Sequence, residues 1–138
     1  DAAYAAEQVV ARAVEGVGAK LGRIVFQFSR MRLGELGGAA GFIARLGEFL
    51  QALPRGPLYA VEVRNAELVT ERQGSELTRV LADAGCVPCL AGHPFMPPVA
   101  AQARALAHPR GEVWPAVVAR WMLHATQTYE GARSRYMP

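Results

Sequence analysis

A chain of 138 residues, 51% of them hydrophobic, has the size of one domain and ample material for a packed core, which excludes an intrinsically disordered segment. Fifteen basic against twelve acidic residues give a net charge of +3; fourteen of the fifteen are arginines, spread from Arg12 to Arg135 among Glu and Asp, so the charge gives only weak support to a nucleic-acid partner. No apolar run approaches the roughly 20 residues that span a bilayer, and the opening "DAAYAAEQVV" lacks the basic and apolar regions of a secretory signal, which argues against a membrane partner and makes the cytoplasm the expected compartment.

In chain order, "AYAAEQVVARAVEGVGAKLG" carries Val9, Val10, Ala13, Val14 and Val17 at helical spacing and gathers glycines toward its end, which predicts a helix that stops there. "RIVFQF" is a short β-branched and aromatic run and reads as a strand. "ELGGAAGFIARLGEFLQALP" returns to the helical period through Phe42, Ile43, Leu46, Phe49, Leu50 and Leu53, with "GELGGAAG" as the loop entering it and Pro54, Gly56 and Pro57 closing it. The strand "LYAVEV" follows, then the helical "TERQGSELTRVLADAG" with Leu77, Val80 and Leu81 on one stripe, then the strand-like "CVPCLA". "PPVAAQARALAHPRG" predicts a short helix opened by prolines, "AVVARWML" a fourth strand, and "TYEGARSRYMP" one further helix with Thr128 as its N-cap. Helix and strand alternate four times with crossovers of about 25 to 30 residues from one strand to the next, the length of a right-handed connection, so the expected fold is α/β with parallel (β/α) units in a single domain.

Side chains alternate across a strand, so Ala60, Glu62 and Arg64 share one face of "LYAVEVRN" while Tyr59, Val61 and Val63 share the other. The same split sets Val25, Gln27 and Ser29 against Ile24, Phe26 and Phe28, and Val118, Arg120 and Met122 against Val117, Ala119 and Trp121. Three of the four strands therefore place a polar group late on one face. In a parallel sheet those positions lie at one edge, the C-terminal edge at which α/β sheets and barrels bind ligands. A buried unpaired charge costs several kcal/mol, so these groups must pair, face solvent or hold a ligand.

These segments also resemble a known family. "LGRIVFQF", "LYAVEVRNAELVT", "GCVPCLAG" and "VVARWMLHATQTYEGARSRYMP" are similar, in order and spacing, to the middle and late segments of the DUF72 family, over nearly the whole chain. The most specific parts are the E-x-R-N of Glu62, Arg64 and Asn65 and the R-W-x-L-H of Arg120, Trp121, Leu123 and His124, followed by Tyr129 and Glu130. The resemblance implies a TIM-barrel-like fold without a firmly assigned activity, of which these strands are roughly the fourth to seventh of eight. It also implies a pocket at the barrel mouth lined by Gln27, Glu62, Arg64, Arg120 and His124, with Asn65 in the ligand-binding set. On this reading the chain is a partial TIM-barrel-like domain over residues 1–138, cut at both ends, with open strand edges that make it marginal alone or prone to pair with another copy. It departs from the family where Ser29 and Arg30 replace a Pro-Pro and where Gly92 and His93 stand in place of an Asp; a histidine before proline reads first as a turn residue.

Cys86 and Cys89 form a C-x-x-C, but on a strand residues three apart face opposite ways at about 10 Å, beyond the ~7 Å limit for a disulfide. They read as buried, inert thiols, and no second pair or spaced histidines support a metal site. The glycines of "GELGGAAG" lack the G-K-[ST] of a phosphate loop and give only a weak hint of anion binding. Trp114, Trp121 and Tyr129 read as packing residues. His124 is the candidate general acid or base, with a hydrogen bond to a neighbouring loop as the alternative.

The leading expectation is an enzyme in which Arg64 and Arg120 hold an anionic small molecule or phosphodiester, with Glu62 as acid, base or metal ligand and His124 assisting proton transfer. The alternative is a non-catalytic module whose arginines take a phosphorylated ligand or nucleic acid; a third reading is an ion-pair network that only orders the lumen. The sequence identifies no cofactor and fixes no metal site.

Overall fold

A computed structural model of the chain describes residues 1–122 and 129–136. Helix α1 (Ala2–Ala5) is capped by the Asp1 carboxylate, which accepts hydrogen bonds from the amides of Ala3 and Tyr4. It runs through a π-helical stretch, Ala6–Ala11, into α2 (Arg12–Val17), and the chain breaks at Gly18, whose φ of 57° suits a residue without Cβ. Strand β1 (Arg23–Phe28) leads through a 3₁₀ turn at Leu33–Leu36 to α3 (Gly38–Gln51). Strand β2 (Leu58–Val63) is followed by α4 (Glu71–Asp83), whose N-cap Thr70 accepts a hydrogen bond from the amide of Gln73. Strand β3 (Val87–Gly92), α5 (Val99–Ala105), β4 (Val118–Trp121) and α6 (Tyr129–Tyr136) complete the order.

The four strands form one curled, half-barrel sheet in the order β1-β2-β3-β4, every pair parallel. Register sets Gln27 beside Glu62, Ala60 beside Val87, and Ala91 beside Arg120. The alternation read from the sequence sorts the two faces. Tyr59, Val61 and Val63 of β2 join Ile24, Phe42, Ile43, Leu46, Leu50, Leu77 and Leu81 in the main core beneath α3 and α4. There Phe26 meets Phe49 edge-on at 5.2 Å and Phe28 meets Phe42 at 5.5 Å. Ala60, Val87 and Cys89 form a second, smaller cluster on the inner face with Val25 and Val118.

Two glycines are needed for close approach. A Cβ at Gly41 would strike the Leu36 carbonyl of the preceding 3₁₀ turn, and one at Gly74 would strike the Ala105 carbonyl where α4 meets α5. The glycines of "GELGGAAG" thus serve the packing of a turn against its helix, with Gly37 and Gly38 both at positive φ. Several predicted boundaries contract: the fourth strand pairs only over Val118–Trp121, and α5 stops at Ala105. Trp114 packs as expected, its ring 4.6 Å from His108 and its Nε1 donating to the Leu106 carbonyl at 2.8 Å. Trp121 is corrected from a packing residue: one edge of its indole lies over Gly92, but 72% of the residue is exposed, because no described element covers that side of the edge strand. Thr128 and the side chain of Tyr129 lie outside the described residues. Among the described residues no helix is long and apolar enough to cross a membrane.

Candidate functional site

Glu62 is the next-to-last residue of β2 and is fully buried. A carboxylate there needs partners for both oxygens, and it has them. Arg64 Nε donates to Oε1 at 2.9 Å, and Nη1 of Arg120, the next-to-last residue of β4, donates to Oε2 at 2.6 Å. Gln27, beside Glu62 on β1, closes the ring: its Oε1 accepts from Arg64 Nη2 at 3.1 Å and from Arg120 Nη1 at 2.9 Å. Parallel pairing of the four strands, with β3 between β2 and β4, brings these four side chains together from positions up to 93 residues apart.

The orientation of Gln27 is fixed from behind, its Nε2 donating to Ser29 Oγ at 3.3 Å. Arg64 Nη2 also reaches Met122 Sδ at 3.4 Å. Among the described residues the side-chain hydrogen bonds of Arg120 to the ring run through Nη1, which leaves its Nη2 and Nε outside the ring. Two guanidiniums around one carboxylate leave one positive charge in excess, and solvent reaches it unevenly, with side-chain exposures of 20% at Arg64 and 44% at Arg120. Among the described residues no buried side-chain nitrogen or oxygen lacks a hydrogen-bond partner. The arrangement is therefore a satisfied buried anchor carrying an arginine edge toward solvent, a geometry suited to carboxylate or phosphate.

Asn65 is not drawn into this ring. It is buried, accepts from the Met31 amide at 2.9 Å, and donates to the Met31 carbonyl at 3.0 Å and to Glu67 Oε2 at 3.3 Å. Its amide ties the loop after β1 to the end of β2. His124 lies outside the described residues. His93 accepts from the Phe95 amide at its Nδ1, 3.2 Å away, as a turn residue would. Gly92 lies beneath the Trp121 indole, where a Cβ would approach ring carbon Cε3 to 2.6 Å, so an aspartate at that position is incompatible with this tryptophan's place.

Cys86 belongs to the outer core and Cys89 to the inner-face cluster, and both are free. Burial pushes both thiols up to about 11, with the nearby Glu62 carboxylate adding to the effect at Cys89. They are protonated and unreactive in the folded chain. No group of three His, Cys, Asp or Glu side chains among the described residues is placed to hold a metal ion. A cleft of about 770 Å³ opens at the other end of the strands, lined by Leu53, Pro54, Arg55, Tyr59, Asp83 and Gly85, remote from the ring.

The sequence reading missed the parts played by Ser29 and Met122, although alternation sets them on the faces of Gln27 and Arg120; a small hydroxyl and a thioether give no charge signal. It also missed the buried Gln102 of α5. This glutamine accepts from the Ala91 amide at 3.0 Å and donates to the Ala91 and Pro97 carbonyls at 2.8 and 2.7 Å, fastening both ends of the loop after β3.

Compared with known proteins, residues 1–137 match a family model described as "Protein of unknown function DUF72". No curated protein and no solved structure matches the chain.

Proposed function

This chain belongs to the DUF72 family, and on that premise we propose that it takes an anionic small molecule or a phosphodiester at the C-terminal ends of its strands, held by Arg64 and Arg120. One observation carries the reading: the fully buried Glu62 spends both oxygens on the two arginines, so they are held in place while a positive charge and the outer edge of Arg120 remain available to a ligand. In this reading Glu62 and Gln27 are positioning residues. A phosphate or carboxylate meets a guanidinium edge with two parallel N–H···O bonds, and the low local dielectric beside the buried carboxylate strengthens them.

As an enzyme, the protein would use the arginines to orient the anion and His124 to move a proton, with Glu62 released from Arg120 when the ligand takes its place. As a binding module it would capture a phosphorylated ligand or nucleic acid without turnover. The full engagement of Glu62 favours this second form, because both of its oxygens already accept hydrogen bonds from the arginines. A cytoplasmic setting, where thiols stay reduced, accords with the two free cysteines.

Calorimetric titration with inorganic phosphate, paired with a turnover assay on a generic aryl phosphodiester, tests both forms. Saturable binding that drops about tenfold or more in Arg120→Gln supports anion capture. Turnover lost in Glu62→Gln with binding retained supports the enzyme, and binding without turnover supports the module. Equal phosphate affinity in the parent and Arg120→Gln removes the proposal.

A further inference from the structure

The loop after β3 carries a feature that the anion site does not use. Phe95 is 69% exposed, yet the loop bearing it is tied by hydrogen bonds at several points. The Phe95 amide donates to His93 Nδ1 at 3.2 Å, the Met96 amide donates to the His93 carbonyl at 3.0 Å, and Met96 is buried beneath. Gln102 fixes the entry at Ala91 and the exit at Pro97. The His93 and Phe95 rings lie 5.2 Å apart, tilted by 51°, so the loop presents two aromatic rings on a rigid base.

Register brings this base next to the arginines. Ala91 pairs with Arg120 and Gly92 with Trp121, and the Met122 amide donates to the Gly92 carbonyl at 3.1 Å. Phe95 follows Gly92 by three residues, so the chain can carry it no more than ~11 Å from that strand end. An exposed Phe95 against a half-buried His93, on a loop that leaves the strand paired with Arg120, matches a ligand with a flat ring at one end and an anion at the other.

We propose that the site binds a nucleotide, its phosphate on Arg64 and Arg120 and its base stacked on Phe95 and His93. This rests on the anion reading above and adds the ring as a second, separable point of recognition. Every base has a π-face, so stacking makes the site tolerant of base identity, and a guanidinium cation reads phosphate whether it is free or part of a strand. The shared chemistry is a nucleoside phosphate, whose source is a free nucleotide or the end of a nucleic-acid strand.

Titration of the protein with inorganic phosphate, AMP, UMP and a short single-stranded oligonucleotide, compared at one salt concentration and with the oligonucleotide repeated at a higher one, separates the possibilities. AMP and UMP are expected to bind about tenfold or more tighter than inorganic phosphate. Phe95→Ala should bring the ratio of AMP to phosphate affinity close to one, and Phe95→Tyr should restore it, with the thermal midpoint of each variant reporting folding. Higher affinity for the oligonucleotide than for AMP, falling with added salt, identifies a strand as the source; equal or lower affinity identifies a free nucleotide. Phosphate binding that depends on Arg120 while AMP binds no tighter, or a ratio unmoved by Phe95→Ala, overturns the nucleotide proposal and leaves the anion site standing. Absence of Arg120-dependent phosphate binding overturns both.

Discussion

Replacing Glu62 with glutamine keeps the shape of the side chain but removes the charge that both arginines share. The loss is expected to be about 1–3 kcal/mol, below the usual cost of breaking a buried pair because the arginine ends reach solvent. A lowered urea midpoint in Glu62→Gln checks it. Arg120→Met leaves Oε2 of the fully buried Glu62 without its arginine, so a loss of about 1–3 kcal/mol is expected there too, and an unchanged urea midpoint would contradict the pairing. The thiols give a pH signature. Burial raises Cys86 and Cys89 from the ordinary 9.0 to about 11, and burial also raises Tyr59. A group whose folded pKa exceeds its unfolded value stabilises below the unfolded pKa and loses that contribution as pH rises through the folded one, so unfolding free energy should fall between about pH 9 and 11. A Cys86→Ala, Cys89→Ala double variant should show a shallower decline. At this scale strand alternation made the shared face of Gln27, Glu62, Arg64 and Arg120 legible, because a period of two is fixed by geometry. It could not reveal that Glu62 has no free oxygen or that Asn65 serves the Met31 loop, since hydrogen-bond partners depend on neighbours remote in sequence.

Among the elements, the loop after β3 depends on a single side chain. Gln102→Leu would leave the Ala91 amide and the Pro97 carbonyl without this partner and the Ala91 carbonyl with the His93 amide, at a cost of about 2–4 kcal/mol. Faster amide exchange at Ala91, with a lowered thermal midpoint, is the expected result. The order of strands and helices was readable because apolar residues recur at two clearly different periods. Boundaries were less so. The run "AVVARWML" has strand character throughout, but β4 pairs only where Cys89–Gly92 offers a partner. Likewise the first helix reads as one continuous run, while the chain passes through a π-helical stretch at Ala6–Ala11 that apolar spacing does not distinguish from α-helix. The proline-opened helix ends early because the chain from Leu106 turns away to seat Trp114 against its carbonyl.

In the molecule as a whole, strand order equals sequence order, so β1 and β4 each pair on one side among the described residues. Exposed apolar side chains gather near those edges: Tyr4, Val9, Val14 and Val17 on the first helices, and Val113, Val117 and Trp121 around β4. Unpaired strand edges flanked by apolar surface favour association. The purified chain of 14.8 kDa is therefore expected to sediment as larger species with rising concentration, and Val117→Lys should reduce that tendency. Parallelism was legible from the crossover lengths, and it is what gathers the polar ends of the strands at one rim. The central claim is that Arg64 and Arg120 form one anion-binding unit there. The most direct measurement follows the guanidinium Nε–H resonances of both arginines by nitrogen-15 NMR during a titration with inorganic phosphate. The account predicts that the two signals shift together and saturate at the same phosphate concentration, and that the Arg64 signal ceases to respond in Arg120→Gln. Signals that stay fixed, or that drift independently without saturating, would contradict it.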